Sequence, residues 1–183
     1  MSRTFVALLY SVVLGPGRRV LMADLRALAA ELGFAGPRTL LATGNLILAA
    51  GARDAAEVEA RLEPAFATRF GKRIDIVVRD AAAWPRLVAG CPFPDGDPAR
   101  VAVRVTREPL TEAAVERLAG YLAPCERVAV VGGDLWVHLP DGFAPSRLPA
   151  AITPKRFGVG TFRNWNTVRK IAQALAEPGA PAP

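Results

Sequence analysis

Apolar and polar positions follow two periods along the chain. Phe5 to Leu9 ("FVALL") is a short unbroken apolar run and predicts a buried strand. Leu21, Leu25, Leu28 and Leu32 recur at i, i+4, i+7 and i+11, one face of a helix. Gly33 follows where a left-handed C-cap belongs. Arg38–Ala42 and Asn45–Ala49 predict two strands around Thr43-Gly44. Asp54 and Glu57 mark a capping-box start to a helix carrying Val58, Leu62, Phe66 and Phe70 on one side. Pro64 inside it is expected to kink it. Ile74–Arg79 predicts a further strand. The order is β-α-β-β-α-β, the split βαβ or ferredoxin-like unit.

A connector follows. Asp80–Ala89 predicts a short helix, and "GCPFPDGDP" (Gly90–Pro98) is a Pro/Gly-rich loop at the expected boundary between halves. The pattern then restarts. Arg100–Val105 predicts a strand, and Thr111 is the expected cap of a helix bearing Val115, Leu118 and Leu122. Val128–Val131 and Asp134–Leu139 predict strands joined by Gly132-Gly133, suited to a type I′ turn. Ser146–Ile152 predicts a short helix limited by Pro149, Gly160–Arg163 an extended stretch, and Trp165–Ala176 the last helix. "EPGAPAP", from Glu177, is expected to fray, with residues 178–183 a disordered tail. The expected fold class is therefore α+β: two ferredoxin-like (βαββαβ) halves, residues 1–89 and 90–177, packed as one unit by internal duplication, plus a C-terminal helix.

The 183 residues allow one large domain or two small halves, and 51% hydrophobic with 22% charged residues is a globular profile. No apolar run reaches about 18 residues, so no membrane partner is expected. "MSRTFVALLYSVVLGPG" resembles a signal peptide, but it lacks an A-x-A-like cleavage site and leads at once into a helix, which favours a first strand. The net charge of +6 points toward a nucleic-acid or phosphate partner. Against that, 20 of the 23 basic residues are Arg, in a chain rich in the other residues of GC-rich codons, and none form a block of five. A nucleic-acid footprint is clustered, so nucleic acid is the weaker expectation. Cys91, Cys125 and His138 are the only thiols and imidazole, without Cys-x-x-Cys or His-x-x-x-His spacing. No structural zinc and no cofactor are expected, and two free thiols fit a reducing cytoplasm.

"RNWNT", Arg163 to Thr167, concentrates amide, guanidinium and indole chemistry where the last helix starts. One reading is structural: Asn164 is the N-cap, accepting from Asn166 or Thr167, and Trp165 lies over the core ahead of the stripe Val168, Ile171, Ala172 and Leu175. The other adds a ligand. A helix N-terminus carries partial positive charge and unpaired N–H groups, Arg163 stands beside it, and Asn166 and Thr167 offer donors. No acidic residue lies between Gly160 and Lys170 to fill such a cradle.

"RNWNTVRKI" (Arg163–Ile171) resembles the signature near the end of a bacterial family known as domain of unknown function 1697. "FVALL", "MADLRALAAELGF" (Met22–Phe34), "TGN" (Thr43–Asn45) and "PSRL" (Pro145–Leu148) extend the likeness along most of the chain. The resemblance implies two ferredoxin-like halves and a candidate site; the family has no established activity, so it implies no reaction. Members typically continue the first strand as Leu-Leu-Arg-Gly-Ile-Asn-Val-Gly-Gly. Here Leu8–Pro16 reads "LLYSVVLGP": Tyr10 stands for the Arg, Ser11 for a Gly and Val13 for the Asn. A loop with Arg, Asn and glycines holds an anion. This one loses those donors, leaving a degenerate member or a less charged ligand; Arg18 and Arg19 are candidates to restore the charge from another stem.

Other constellations are weaker. Asn, Thr, Arg, Gly and Trp include no general base for neutral pH. Trp136 and His138 alternate on one strand as aromatics do on RNA-binding sheets, but Arg100–Val105 brings no aromatic partner, and a packed interface is the better expectation. "GPGRR" lacks the ending of a P-loop. The expected function is a non-enzymatic binding module for a small anionic or phosphorylated ligand. Arg163 pairs with its charge, Asn164, Asn166 and Thr167 donate, Trp165 walls the pocket, and Gly44-Asn45 contributes from the first half. The alternatives are an enzyme using the same cluster to stabilise an oxyanion and a nucleic-acid binder. Oligomeric state is not legible.

Overall fold

The computed structural model describes residues 2–177, and the expected disordered tail, 178–183, lies outside the described residues. The described residues form a mixed α+β chain of seven α-helices and ten strands in antiparallel sheets. They divide into two compact units, residues 2–84 with 173–177 and residues 85–172.

The first unit is built on β1 (Thr4–Leu9), whose apolar run is buried on both faces. A small hairpin, β2 (Val13–Gly15) and β3 (Arg18–Arg19), leads to α1 (Met22–Glu31), β4 (Ala35–Leu40), β5 (Asn45–Ala49), α2 (Ala55–Phe70) and β6 (Ile76–Asp80). The main sheet has the order β4-β5-β1-β6, with Val6 opposite Ile47 on one side and Arg79 on the other. Phe5, Ala7 and Leu9 share a core with Leu25 and Leu28 of α1 and with Val58, Leu62 and Phe66 of α2. Alternation along β1 sends every second side chain to that core.

The helix ends follow from local chemistry. Gly33 (φ 78°) ends α1: its N–H donates to the Ala30 carbonyl and that of Phe34 to Ala29, a Schellman motif. Leu21, expected on the buried face, instead precedes the helix and is exposed. Asp54 and Glu57 close the capping box of α2, which runs on past Pro64 to Phe70 and ends at left-handed Gly71. Glu59 and Glu63, one turn apart on α2, accept the N–H groups of Val78 (2.8 Å) and Ile76 (2.9 Å), covering donors of the edge strand β6.

A 3₁₀ turn (Ala81–Ala83) and α3 (Trp84–Ala89) follow β6. The second unit then runs through β7 (Val101–Thr106), α4 (Ala113–Leu118), β8 (Arg127–Val131), β9 (Asp134–His138), α5 (Leu148–Ala151), α6 (Pro154–Phe157), β10 (Gly160–Asn164) and α7 (Trp165–Ala176), whose last turn belongs to the first unit. Its sheet order is β10-β7-β9-β8, all antiparallel. When the main strands of each unit are counted in chain order, both sheets read 4-1-3-2. Gly132 and Gly133 both take positive φ (61° and 87°), as the β8–β9 turn requires. Leu118, Leu135, Val137, Leu148 and Phe157 anchor the core.

One local expectation is corrected, and one element is new. Thr111 does not cap α4; Glu112 occupies the N-cap with no side-chain bond, and the helix gives way to a 3₁₀ turn after Leu118. The four-residue α6 is too short to carry a period, and it starts on Pro154. It is held by Arg104, a buried strand residue whose guanidinium donates to the carbonyls of Phe157 (3.1 Å) and Gly158 (2.6 Å). Cations suit helix C-termini.

Candidate functional site

The stretch Arg163–Thr167 straddles the junction of β10 and α7. Antiparallel pairing places Arg163 opposite Val103, which in turn faces Trp136 across the sheet. The three side chains therefore share one face. The next residue, Asn164, ends β10 opposite Ala102 and caps the helix: its Oδ1 accepts the N–H of Thr167 at 2.9 Å. Trp165 opens α7 buried, its ring edge-on to Trp136 with centroids 5.5 Å apart. Thr167, Val168 and Ile171 are buried with it, whereas Asn164, Asn166, Arg169 and Lys170 are exposed.

Arg163 does not reach outward. It is 7% exposed, and its Nη1 donates to Thr161 Oγ1 (2.9 Å) and to the Phe162 carbonyl (2.8 Å). Burial pushes its pKa down to about 10, since a guanidinium removed from water loses hydration. The sequence pattern passes over Arg169, which takes the outward position. Its Nη2 donates to Asn166 Oδ1 at 2.9 Å, and its guanidinium lies 5.9 Å from the Trp165 ring. Spacings of i+3 from Asn166 and i+4 from Trp165 carry that signal.

Gly44 and Asn45 belong to the first unit. Asn45 is fully buried, and its carboxamide nitrogen donates to the Leu40 carbonyl and to Thr43 Oγ1, both at 2.9 Å. Gly44 has φ 77°, and a Cβ there would stand 2.8 Å from both Leu9 Cβ and Val12 Cγ1. The pair thus builds the β4–β5 turn against the end of β1, where Leu9 N–H donates to the Gly44 carbonyl.

The imidazole and the two thiols are not part of this stretch. His138 sits on β9, two strands from β10, with Nδ1 2.9 Å from Arg127 Nη2 and its ring near Phe93. Burial, and then the Arg127 charge, hold its pKa below the ordinary value. Burial raises the Cys91 thiol; desolvation and Asp141 raise that of Cys125. Neither is set up as a thiolate. Among the described residues no three His, Cys, Asp or Glu side chains converge as metal ligands, and no helix is long and apolar enough to cross a membrane.

The family model described as "Protein of unknown function (DUF1697)" matches residues 1–136. The chain belongs to the DUF1697 family. That match spans β1 to most of β9 and ends before β10 and α7, so the DUF1697 assignment and the Arg163–Thr167 cluster are independent observations. No curated protein matches the sequence. The solved structure of a conserved bacterial protein from Streptococcus pneumoniae is similar over 97% of this chain and 100% of that one, with a TM-score of 0.76 at 20% identity. At that identity the likeness concerns the fold alone.

Proposed function

We propose that this DUF1697 chain is a duplication of two ferredoxin-like halves and serves as a non-enzymatic binding module for a small anionic or phosphorylated ligand at the N-terminus of α7. The shared 4-1-3-2 strand order supports the duplication. The ligand site rests on one observation: the α7 N-terminus is left positive by its own sequence. No carboxylate occurs from Gly160 to Ala176, while Arg169 and Lys170 are exposed in the first half of the helix beside Asn166. Helix α2 shows the contrast, filling its N-terminus with its own Asp54 and Glu57. A neutral Asn cap leaves the macrodipole and the first N–H groups to attract an external anion. Asn164 and Asn166 then flank the ligand, Arg169 supplies charge, Trp165 backs the site, and buried Arg163 and Thr167 hold strand and helix in place. Gly44 and Asn45 are framework in this scheme.

A thermal-shift screen tests it, with phosphate, sulfate, nucleotides, sugar phosphates and a short RNA on wild type and on the exposed-site variant Asn166→Ala/Arg169→Gln. A ligand at 100 times its Kd stabilises by about 2.7 kcal/mol. A shift in wild type that shrinks in the variant is expected. A shift of equal size in both, or none with any anion, contradicts the site.

A further inference from the structure

We propose a second ligand site, wholly within the first unit: the cavity between α2 and the segment leading into β6 takes an α-amino-acid-like zwitterion. The cavity has a volume of about 490 Å³, inside the range of small-molecule pockets. One wall is α2, with Glu63, Pro64 and Ala67; the other is the segment Arg73, Ile74 and Asp75. Both walls are pinned. Left-handed Gly71 ends α2 and turns the chain back. The Ile76 N–H donates to Glu63 Oε1 (2.9 Å), and the Tyr10 N–H donates to the Asp75 carbonyl (3.0 Å).

The charges decide the ligand class. Among the described residues, neither the Arg73 guanidinium nor the Asp75 carboxylate has a hydrogen bond or an ion pair, although both line the same cavity. Glu63, on the α2 wall, is already engaged by the Ile76 N–H. A simple anion would meet Arg73 but also face the Asp75 carboxylate. A simple amine would meet that carboxylate but face the guanidinium. A molecule carrying both groups on one carbon satisfies both: its carboxylate on Arg73, its ammonium on Asp75. Pro64, Ala67 and Ile74 offer apolar surface for a modest aliphatic side chain.

An NMR titration of the full chain tests this with L-valine, N-acetyl-L-valine and isobutylamine, the last two lacking one charge each. Saturable shifts of the amides between Glu63 and Ile76 are expected with valine at millimolar concentration. Each one-charge analogue should bind at least about tenfold more weakly, because a charge-assisted hydrogen bond is lost. Asp75→Asn and Arg73→Gln should each weaken valine by a similar factor; Arg73 is exposed and Asp75 half-buried, so both variants keep the core. Absence of saturable shifts with valine, equal binding of the three ligands, or unchanged affinity in both variants overturns the proposal. None of these outcomes bears on the α7 site, whose residues lie in the second unit.

Discussion

Asn164 and Thr167 are joined by a 2.9 Å bond in which the side-chain Oδ1 of one accepts the backbone N–H of the other, and this bond starts α7. Asn164→Ala removes the cap and is expected to cost about 1 kcal/mol in chemical denaturation. Asn164→Asp keeps an oxygen in place and adds a charge the macrodipole favours, so its stability should equal or exceed that of wild type. A loss of stability in the Asp variant would show that the cap is not the task of this side chain.

Arg163 carries a structural load that its sequence context disguises. Arg163→Leu keeps apolar volume but removes the bonds to Thr161 Oγ1 and the Phe162 carbonyl. A loss of about 1–3 kcal/mol is expected, since a buried acceptor is left without its donor. Equilibrium urea unfolding of the two proteins measures it; a variant as stable as wild type would show that desolvation of the guanidinium cancels what its bonds contribute.

Gly44→Ala should be among the more damaging small substitutions in the first unit. The left-handed backbone alone costs a non-glycine residue about 1–2 kcal/mol. The new Cβ also meets Leu9 Cβ and Val12 Cγ1 at 2.8 Å. A melting temperature within a degree or so of wild type would contradict this geometry.

His138 titrates below its ordinary value of 6.5, because of burial first and Arg127 second, with Asp97 opposing. Between the lowered folded value and 6.5 the unfolded chain binds more protons than the folded one. Stability therefore rises with pH through that window and is lost as pH falls below 6.5. The imidazole proton resonances should show a midpoint below 6.5, moving up in Arg127→Gln and down in Asp97→Asn. A midpoint at or above 6.5 in wild type is the contrary result.

Much of this fold was legible in the periodicity. The apolar run of β1, the capping box at Asp54, the Gly33 stop and the Gly132-Gly133 turn are local signals, and each stands where its chemistry places it. The β2–β3 hairpin was hidden because a two-residue strand of exposed Arg18 and Arg19 has no alternation to read. Thr111 failed as a cap because a cap-forming residue type does not by itself fix where a helix begins, and Glu112 stands at the N-cap instead. At the candidate site the Asn164 cap could be read from spacing alone. The direction of Arg163 could not: an Arg next to a helix N-terminus points to solvent or to the sheet according to strand register, and here Arg163 pairs with Val103 on a buried face. Arg169, one turn into α7, takes the outward position.

The most direct measurement is a calorimetric titration of inorganic phosphate into wild type and Asn164→Asp, at low and raised ionic strength. Saturable binding to wild type that weakens with salt is expected, together with a loss of at least about tenfold in the Asp variant, whose fold and cap persist. The same affinity in both proteins, or no binding to wild type, would contradict an anion site at the start of α7 and leave Arg163–Thr167 with architecture as its whole task.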